Sequence, residues 1–406
     1  MKNIKIGLIV VLSIITLGLC GILVQGIRYG RYSNSDTYRN NTQMHLVLEE
    51  EVPLDKINSI AALYDMNNND VRIYEGEGST LIVREYVNYE AEDKEISTVK
   101  VNGSSLEIKG KKRNNISYRT AFFFHYNNNY GYIELWLPKS YKGDIAIETA
   151  SGDIESKPDI AIDGKFEASA ASGDISMPSI LAKSVNISTA SGDVKGNVFQ
   201  GKITIGTASG DVDLTELIGD TQIGTASGYI NVGTIAGNTK FSSASGDISA
   251  IKIDGDINVS SASGNVKIEE GSGKRNVSVV SGDVRLEGIS DVFDISATSG
   301  EIRIKAQKGE GEIETTSGDV SLELAELTGK LNIDTASGRV DIALAEAASF
   351  DFKANTTSGD IDTFFDDSLK FSKKGNNAQG KIGTNPLNCI INIGTTSGDV
   401  RITKLH

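Results

Sequence analysis

Apolar and polar residues alternate through most of the chain after residue 141. In stretches such as Lys202-Ile203-Thr204-Ile205, an aliphatic residue occupies every second position. Because successive side chains of a strand point to opposite faces of a sheet, this alternation predicts β-strands with one buried face. Many of the apolar positions hold Ile or Val, whose branched side chains also favour strands over helices.

The dipeptide Ser-Gly organises this alternation, since it recurs thirteen times in one register from Ser151 to Ser397. The serines of the eight central copies are 18 residues apart: Ser191, Ser209, Ser227, Ser245, Ser263, Ser281, Ser299 and Ser317. An Ile or Val stands three residues after each of the thirteen serines, and a second glycine recurs near the middle of most central units. A fixed period in this range is typical of stacked repeats. Each unit therefore predicts strand, turn, strand and turn, which together make one flattened coil.

A meander of antiparallel hairpins, as in a barrel or a propeller, is the alternative arrangement of these strands. Stacked coils place equivalent residues above one another at a spacing of about 4.8 Å, and the constant Ile/Val position fits such a ladder. We therefore predict an all-β, single-chain β-solenoid (β-helix) with rungs of about 18 residues, preceded by one N-terminal transmembrane helix.

The predicted transmembrane helix rests on an uncharged apolar segment near the N-terminus. Residues 6–27 would span about 33 Å as a helix, which is enough to cross the hydrocarbon core of a bilayer. A cleavable signal peptide and a lipoprotein modified at Cys20 are the alternatives. The chain thus divides into residues 1–5 as a short flank, 6–27 as the transmembrane anchor, 28–44 as a polar tether, 45–140 as a degenerate N-terminal β cap, and 141–406 as the solenoid, with an insertion at about 362–389.

Charge and composition narrow the classes of function. The net charge of −14 argues against a nucleic-acid partner. Cys20 and Cys389 provide no disulfide framework, and the sequence has no Cys/His metal spacing, no phosphate loop and no Gly-x-Ser-x-Gly elbow. We therefore predict no catalytic residue, no metal and no cofactor. A carbohydrate-active β-helix enzyme stays as the alternative, although the chain has one Trp and the repeats have few Tyr, which argues against a sugar-stacking groove.

The repeated Ser-Gly-Asp turns are assigned a structural role. Glycine enters positive φ without a steric penalty, and Asp can accept hydrogen bonds from nearby backbone N–H groups. The turn residues singled out are Ser209, Gly210, Asp211, Ser245, Gly246, Asp247, Ser281, Gly282, Asp283, Ser317, Gly318 and Asp319. A calcium roll is the alternative, but each half-repeat has one glycine and lacks a Gly-rich ligand loop. The Thr two residues before most of the serines predicts a hydroxyl ladder at a corner in preference to an ice-binding array.

Residues that break the period are the predicted interaction sites. They are five aromatic residues around an Asn-rich turn, and one tyrosine in place of a turn aspartate: Phe122, Phe123, Phe124, Tyr126, Tyr130 and Tyr229. The first five form either an exposed tip that touches lipid or a partner, or a hairpin whose aromatic rings plug the cap.

The sequence resembles a bacterial family of adhesins of unknown function. The resemblance rests on a strand that ends in Leu137-Pro138, followed by repeated Thr-x-Ser-Gly-Asp-Ile/Val units that begin at Thr149, and it covers about residues 45–406. It implies a single-chain β-solenoid, often membrane-anchored and sometimes associated with cell-envelope stress systems. It carries over no catalytic or ligand-binding residue.

These observations predict a non-catalytic, adhesin-like interaction or scaffold protein of the bacterial cell envelope. The solenoid is expected outside the cytoplasm, held at the membrane by the N-terminal helix, with a protein or an envelope glycan as partner. A carbohydrate-active enzyme and a cytoplasm-facing component of envelope-stress regulation are the alternatives. Protease treatment of intact cells separates the two orientations.

Overall fold

A computed structural model describes residues 43–64, 69–111, 117–120, 123–126, 130–372, 374–383 and 388–405. The predicted anchor and residues 28–42 of the tether lie outside these ranges. Within them, helical structure is limited to two 3-10 turns, Asp93–Glu95 and Asp366–Ser368, and no helix has the length and apolar character needed to cross a bilayer. The described residues form two compact units, one that ends at Gly219 and one that begins at Asp220.

The N-terminal unit consists of short strands that precede the repeat and of its first coils. Its strands are β1 (His45–Pro53), β2 (Ser59–Tyr64), β3 (Asn69–Gly76), β4 (Thr80–Val87), β5 (Thr98–Asn102), β6 (Ser105–Lys109), β7 (Ser117–Thr120), β8 (Phe123–Tyr126), β9 (Gly131–Pro138), β10 (Asp144–Thr149), β11 (Ile154–Ser156), β12 (Ile160–Ala161), β13 (Lys165–Ala170), β14 (Ile175–Thr189), β15 (Val194–Thr207) and β16 (Val212–Ile218).

The C-terminal unit consists of further coils and a terminal hairpin. Its strands are β17 (Thr221–Thr225), β18 (Ile230–Ala236), β19 (Thr239–Ser243), β20 (Ile248–Asp254), β21 (Ile257–Ser263), β22 (Val266–Ser272), β23 (Arg275–Ser281), β24 (Val284–Ser299), β25 (Ile302–Ser317), β26 (Val320–Ser337), β27 (Val340–Leu344), β28 (Phe350–Ser358), β29 (Ile361–Thr363), β30 (Leu369–Phe371), β31 (Asn377–Ile382), β32 (Ile390–Ser397) and β33 (Val400–Lys404).

Equivalent strands of successive coils pair in parallel. In the C-terminal unit, β17, β19, β21 and β23 follow one another on one side, while β18, β20, β22 and β24 follow one another on the other. The register places Ile223, Phe241 and Val259 side by side, each 18 residues from the next, and all three side chains are buried. The predicted all-β solenoid is therefore confirmed, and the antiparallel meander is wrong.

The spatial order of the first coils differs from their order in the chain. β2 and β3 pair in parallel with β10 and β11, and β6 and β9 pair in parallel on the other side of β2 and β3. β2 and β3, which lie in the predicted cap, thus stand between two other pairs of strands. β5 then adds antiparallel to β6, while β4 and β1 add antiparallel beyond β9. These strands cover edges that a parallel stack would otherwise leave open.

The C-terminal unit ends in a similar way. β32 lies between β26 and β28, and β33 lies between β27 and β29, so the last coil in the chain is an inner coil in space. Residues 362–389, the predicted insertion, supply β30 and β31, which add antiparallel beyond β28. Phe350, Phe352 and Phe365 pack edge to face in this end, with ring centroids 5.4–6.5 Å apart.

One coil of the C-terminal unit carries a buried arginine among apolar residues. Arg275 is fully buried and pairs in register with Ile257 on one side and Phe293 on the other. The space for its long side chain is left by Gly271, which occupies the position of Ile289 in the next coil. A Cβ atom built on Gly271 would lie 2.7 Å from Nη2 of Arg275.

The guanidinium of Arg275 binds three backbone carbonyl groups. Nη1 donates to the carbonyl oxygen of Gly255 at 2.7 Å, and Nη2 donates to those of Ile253 at 2.9 Å and Ser272 at 2.8 Å. Burial lowers the pKa of Arg275, an effect that the carboxylate of Asp291 partly opposes. The side chain therefore links consecutive coils from inside the core.

Candidate functional site

The repeated turns form a ladder of hydrogen bonds between coils. The backbone N–H of Gly210 donates to Oγ1 of Thr207 at 2.9 Å, within the same turn. The backbone N–H of Asp211 donates to Oδ1 of Asp193, the equivalent residue of the previous coil, at 3.0 Å. The same bond between coils runs from Asn265 to Asp247, from Glu301 to Asp283 and from Arg339 to Asp319, at 2.7–2.8 Å.

This ladder explains the residues found at the turns. A residue of any type can donate its backbone N–H, which is why Glu301 and Arg339 fit, whereas only a short polar side chain can accept from the next coil. The four singled-out serines, Ser209, Ser245, Ser281 and Ser317, are exposed at the same turns. Among the described residues, no group of three Cys, His, Asp or Glu side chains is placed to hold a metal ion.

We expect Asp193→Ala to lower the free energy of unfolding by about 1 kcal/mol, because the N–H of Asp211 loses its acceptor. Asp193→Asn keeps that acceptor and is the matched control.

The hydrogen bond from Asp211 and the Lys195 ammonium hold the pKa of Asp193 below its ordinary value. Because this pKa is lower in the folded state, ionised Asp193 stabilises the fold at pH values above its unfolded-state pKa of about 3.9. This stabilisation is lost as the pH falls through the folded-state pKa. Urea unfolding should therefore show a larger advantage of Asp over Asn at pH 7 than at pH 3; an equal advantage at the two pH values would contradict this.

The predicted interaction residues other than Tyr130 fall into three groups. Phe122 lies outside the described residues. Phe123, Phe124 and Tyr126 lie in β8, which pairs antiparallel with β7. Tyr229, in the C-terminal unit, is 58% exposed.

Tyr130 joins a polar cluster of the N-terminal unit. Its hydroxyl donates to Oδ2 of Asp70 at 2.5 Å and accepts from Nη2 of Arg72 at 3.2 Å. Oδ1 of the same Asp70 accepts from the backbone N–H of Asp153 at 3.1 Å, as the turn aspartates do. Tyr130 therefore contacts the first step of the turn ladder.

Beside this cluster, aromatic side chains form two rows on the outer face of β3, β9 and β4. Tyr74 stacks on Trp136, with ring centroids 4.9 Å apart and planes inclined by 19°. Tyr132 stacks on Tyr86, with centroids 4.8 Å apart and planes inclined by 21°. Because stacked rings cover one another's faces, the ring edges and hydroxyl groups are the parts left for contact with other molecules.

A charged row lies between the two aromatic rows. Pairing of the four strands sets Arg72, Glu134, Arg84 and Glu49 next to one another, so the charge alternates from strand to strand. Nε of Arg84 lies 2.8 Å from Oε1 of Glu49. We call this face the aromatic–arginine surface and define it by Arg72, Tyr74, Ile82, Arg84, Tyr86, Tyr132, Glu134, Trp136 and Glu49.

Contacts between the rows hold the surface in place. The guanidinium carbon of Arg72 lies 4.1 Å from the ring centroid of Tyr132, and that of Arg84 lies 5.4 Å from the ring of Trp136. The indole N–H of Trp136 donates to Oε2 of Glu134 at 3.1 Å. Cation–π contacts of this kind contribute roughly 0.5–1 kcal/mol each at exposed sites. The side chains are thus fixed before any partner arrives.

Burial, followed by the nearby carboxylate of Glu134, raises the pKa of Tyr86 and of Tyr132. Both phenols therefore stay protonated at neutral pH and can donate hydrogen bonds. The hydrogen bond that Arg84 donates to Glu49 raises the pKa of Arg84, so this guanidinium keeps its charge. The surface offers fixed positive charge, fixed negative charge and aromatic edges side by side.

The aromatic–arginine surface could not be identified from the sequence pattern. Each strand does show its own part of the surface, because the alternation of the sequence places certain residues on the outer face. These residues are Arg72 and Tyr74, Arg84 and Tyr86, and Tyr132 and Trp136. These strands lie up to about 60 residues apart in the chain. Only the spatial order β3, β9, β4, β1 brings them together.

Comparison with known proteins gives a family and several similar folds. The sequence profile of Toastrack DUF4097 matches residues 61–278 and 251–403. A proposed cell adhesion protein from Clostridium sporogenes is 10% identical, with 88% of this chain and 99% of that chain covered and a TM-score of 0.19. A proposed lipid binding protein from Parabacteroides distasonis is 14% identical (90% and 98% covered, TM-score 0.18), and a proposed adhesin from the same organism is 15% identical (75% and 94%, TM-score 0.19). No curated protein matches the sequence.

Proposed function

Because the chain belongs to the Toastrack DUF4097 family, we propose that it is a non-catalytic, adhesin-like interaction protein of the bacterial cell envelope. The family match agrees with the resemblance expected from the Ser-Gly-Asp repeats. In this proposal the solenoid is a scaffold, and its function is to present binding surfaces.

The aromatic–arginine surface is the observation that carries this proposal. Trp, Tyr and Arg are the residues most enriched at energetically important positions of protein interfaces. Here they are concentrated on one outer face of the N-terminal unit, with Trp136 and Tyr74 stacked and Arg84 held by Glu49. Side chains that are already fixed lose little conformational entropy on binding, which favours association.

The proposed location rests on residues 6–27. An uncharged segment of this length is long enough to span a bilayer, and an N-terminal anchor commonly exports the chain that follows. We propose that this segment tethers the solenoid outside the cytoplasm. Protease added to intact cells should then degrade the solenoid of the full-length protein. A solenoid that stays intact until the cells are lysed would contradict the proposed orientation.

The interaction function can be tested in cells with a photo-reactive phenylalanine analogue in place of Tyr86. We expect irradiation to produce covalent adducts of the full-length protein, because Tyr86 lies within the proposed surface. The same analogue in place of Lys202, an exposed residue of β15, is the matched control and should yield few adducts. Equal yields at both positions, or none at either, would contradict an interaction function for this surface.

A further inference from the structure

We propose that the aromatic–arginine surface binds the same surface of a second copy of this chain, face to face. The inference rests on the proposed function, because it names the partner of the proposed interaction surface. The partner is identified by the order of charges across the four strands, which is complementary to itself.

The charged row is self-complementary when it is reversed. From β3 to β1 the row carries Arg72, Glu134, Arg84 and Glu49, which is plus, minus, plus, minus. Read from β1 to β3, the same row is minus, plus, minus, plus. Two copies related by a two-fold axis present such rows to each other in opposite order. Opposite charges then meet at all four positions.

The geometry fixes where that axis lies. It runs parallel to the strands, in the plane of contact, and passes between β9 and β4. Glu134 then faces the partner's Arg84, and Arg72 faces the partner's Glu49. By symmetry, the same two contacts are formed a second time.

On the two central strands, β9 and β4, the aromatic rows match under the same operation. Tyr132 and Tyr86 are paired in register across β9 and β4. Tyr132 therefore faces the partner's Tyr86, and Tyr86 faces the partner's Tyr132. Trp136 pairs with Ile82 in the same way, so the indole faces the partner's Ile82. Because the axis runs along the strands, each row of one copy lies opposite the same row of the other copy. At the ends of these rows, Glu51 faces the partner's Tyr74 and Asp70 faces the partner's Leu46.

The association is expected to be weak in solution. Four strands at about 4.8 Å spacing and three rows of side chains cover a small area compared with the roughly 800 Å² per partner of a stable interface. Tethering two copies to one membrane would raise their effective concentration and favour the contact. Screening of the charged row predicts weaker association at high salt.

The charges also act within one chain, and the test must separate the two roles. Arg84 and Glu49 form an ion pair in the same copy, so a single substitution there weakens the face itself as well as any dimer. Two variants, Arg84→Glu and Glu134→Arg, make the separation possible. In either variant alone, like charges meet at the two central positions of the dimer. In a mixed dimer, all four positions again carry opposite charges.

The experiment uses the full-length chain in a mild non-ionic detergent, with a different affinity tag on each variant. We expect each variant alone to dimerise at least about tenfold more weakly than the wild-type chain in sedimentation velocity. A one-to-one mixture of the two should recover dimerisation and co-purify through either tag. Mixing cannot repair a defect within one chain, and all forms share the same N-terminal segment. Recovery can therefore come only from contact between charged rows.

A second pair of variants guards against misfolding of the first. Arg72→Glu and Glu49→Arg alter the outer positions of the row and should show the same mutual rescue. The proposal is overturned if the wild-type chain stays monomeric up to about 0.5 mM, or if folded variants of both pairs fail to rescue each other. Photo-adducts of Tyr86 with a different protein would leave the interaction function standing while removing the second copy as its partner.

Discussion

Replacing Gly210 with alanine is expected to lower the free energy of unfolding by about 3 kcal/mol or more. A Cβ atom at this position would lie 1.7 Å from the carbonyl oxygen of Gly192, the equivalent glycine of the previous coil. That oxygen belongs to the backbone and cannot move aside as a side chain could. The coils would have to separate at the turn, which also weakens the bond between Asp211 and Asp193. Thermal and urea unfolding followed by circular dichroism measure the effect.

Gly206→Ala is the matched control for this prediction. Gly206 lies four residues earlier in the same coil, in β15, and no atom comes within 4 Å of a Cβ atom built there. An added methyl group restricts the unfolded chain, so we expect this variant to be unchanged or more stable by about 0.5 kcal/mol. Equal destabilisation by the two substitutions would show that close stacking at the turn is not the cause.

Replacing Arg275 with alanine is expected to cost about 3–5 kcal/mol of stability. The substitution removes three hydrogen bonds to backbone carbonyl oxygens, of which the one to Ile253 is buried, and leaves a cavity next to Gly271. Arg303→Ala is the matched control, because Arg303 lies in the same unit, is largely exposed and forms an ion pair with Glu301. Surface ion pairs contribute little, so the control should change stability by less than about 1 kcal/mol. Comparable losses for the two variants would contradict the assigned role of Arg275.

Glycines were correctly predicted at the bends of the coils, but positive φ, the reason given for them, explains only some of these positions. Positive φ was expected at both bends of each coil. It occurs at the second bend, as at Gly201 (φ +134°) and Gly255 (φ +144°), and at later Ser-Gly turns, as at Gly282 (φ +150°) and Gly300 (φ +119°). Gly210 and Gly246 are not among the residues with positive φ; a Cβ atom there would lie 1.7 Å from backbone oxygen of the previous coil. Glycine is required at those turns by the neighbouring coil, which a local conformational argument does not include.

Arg275 illustrates a second limit. Its position in the 18-residue period is an inward one, for which the pattern predicts an apolar residue such as Ile257. The compensating change, Gly271 in place of an isoleucine, lies in the preceding strand and is visible in the sequence. The two changes can be connected only when the side chains are seen to share one space. Three-dimensional packing therefore decides that a charged residue is accommodated here.

The sequence by itself determined the all-β class, the coil of about 18 residues and the buried columns, because alternation and period are local properties repeated many times. Tertiary structure alone decided the spatial order of the strands at the two ends of the chain and, with it, the aromatic–arginine surface. Strands without the repeat, such as β4 and β9, carry no register signal in their sequence. Each of these strands pairs with an edge that the stacked coils leave open. Which edges are open depends on the assembled stack and not on the sequence of the strand.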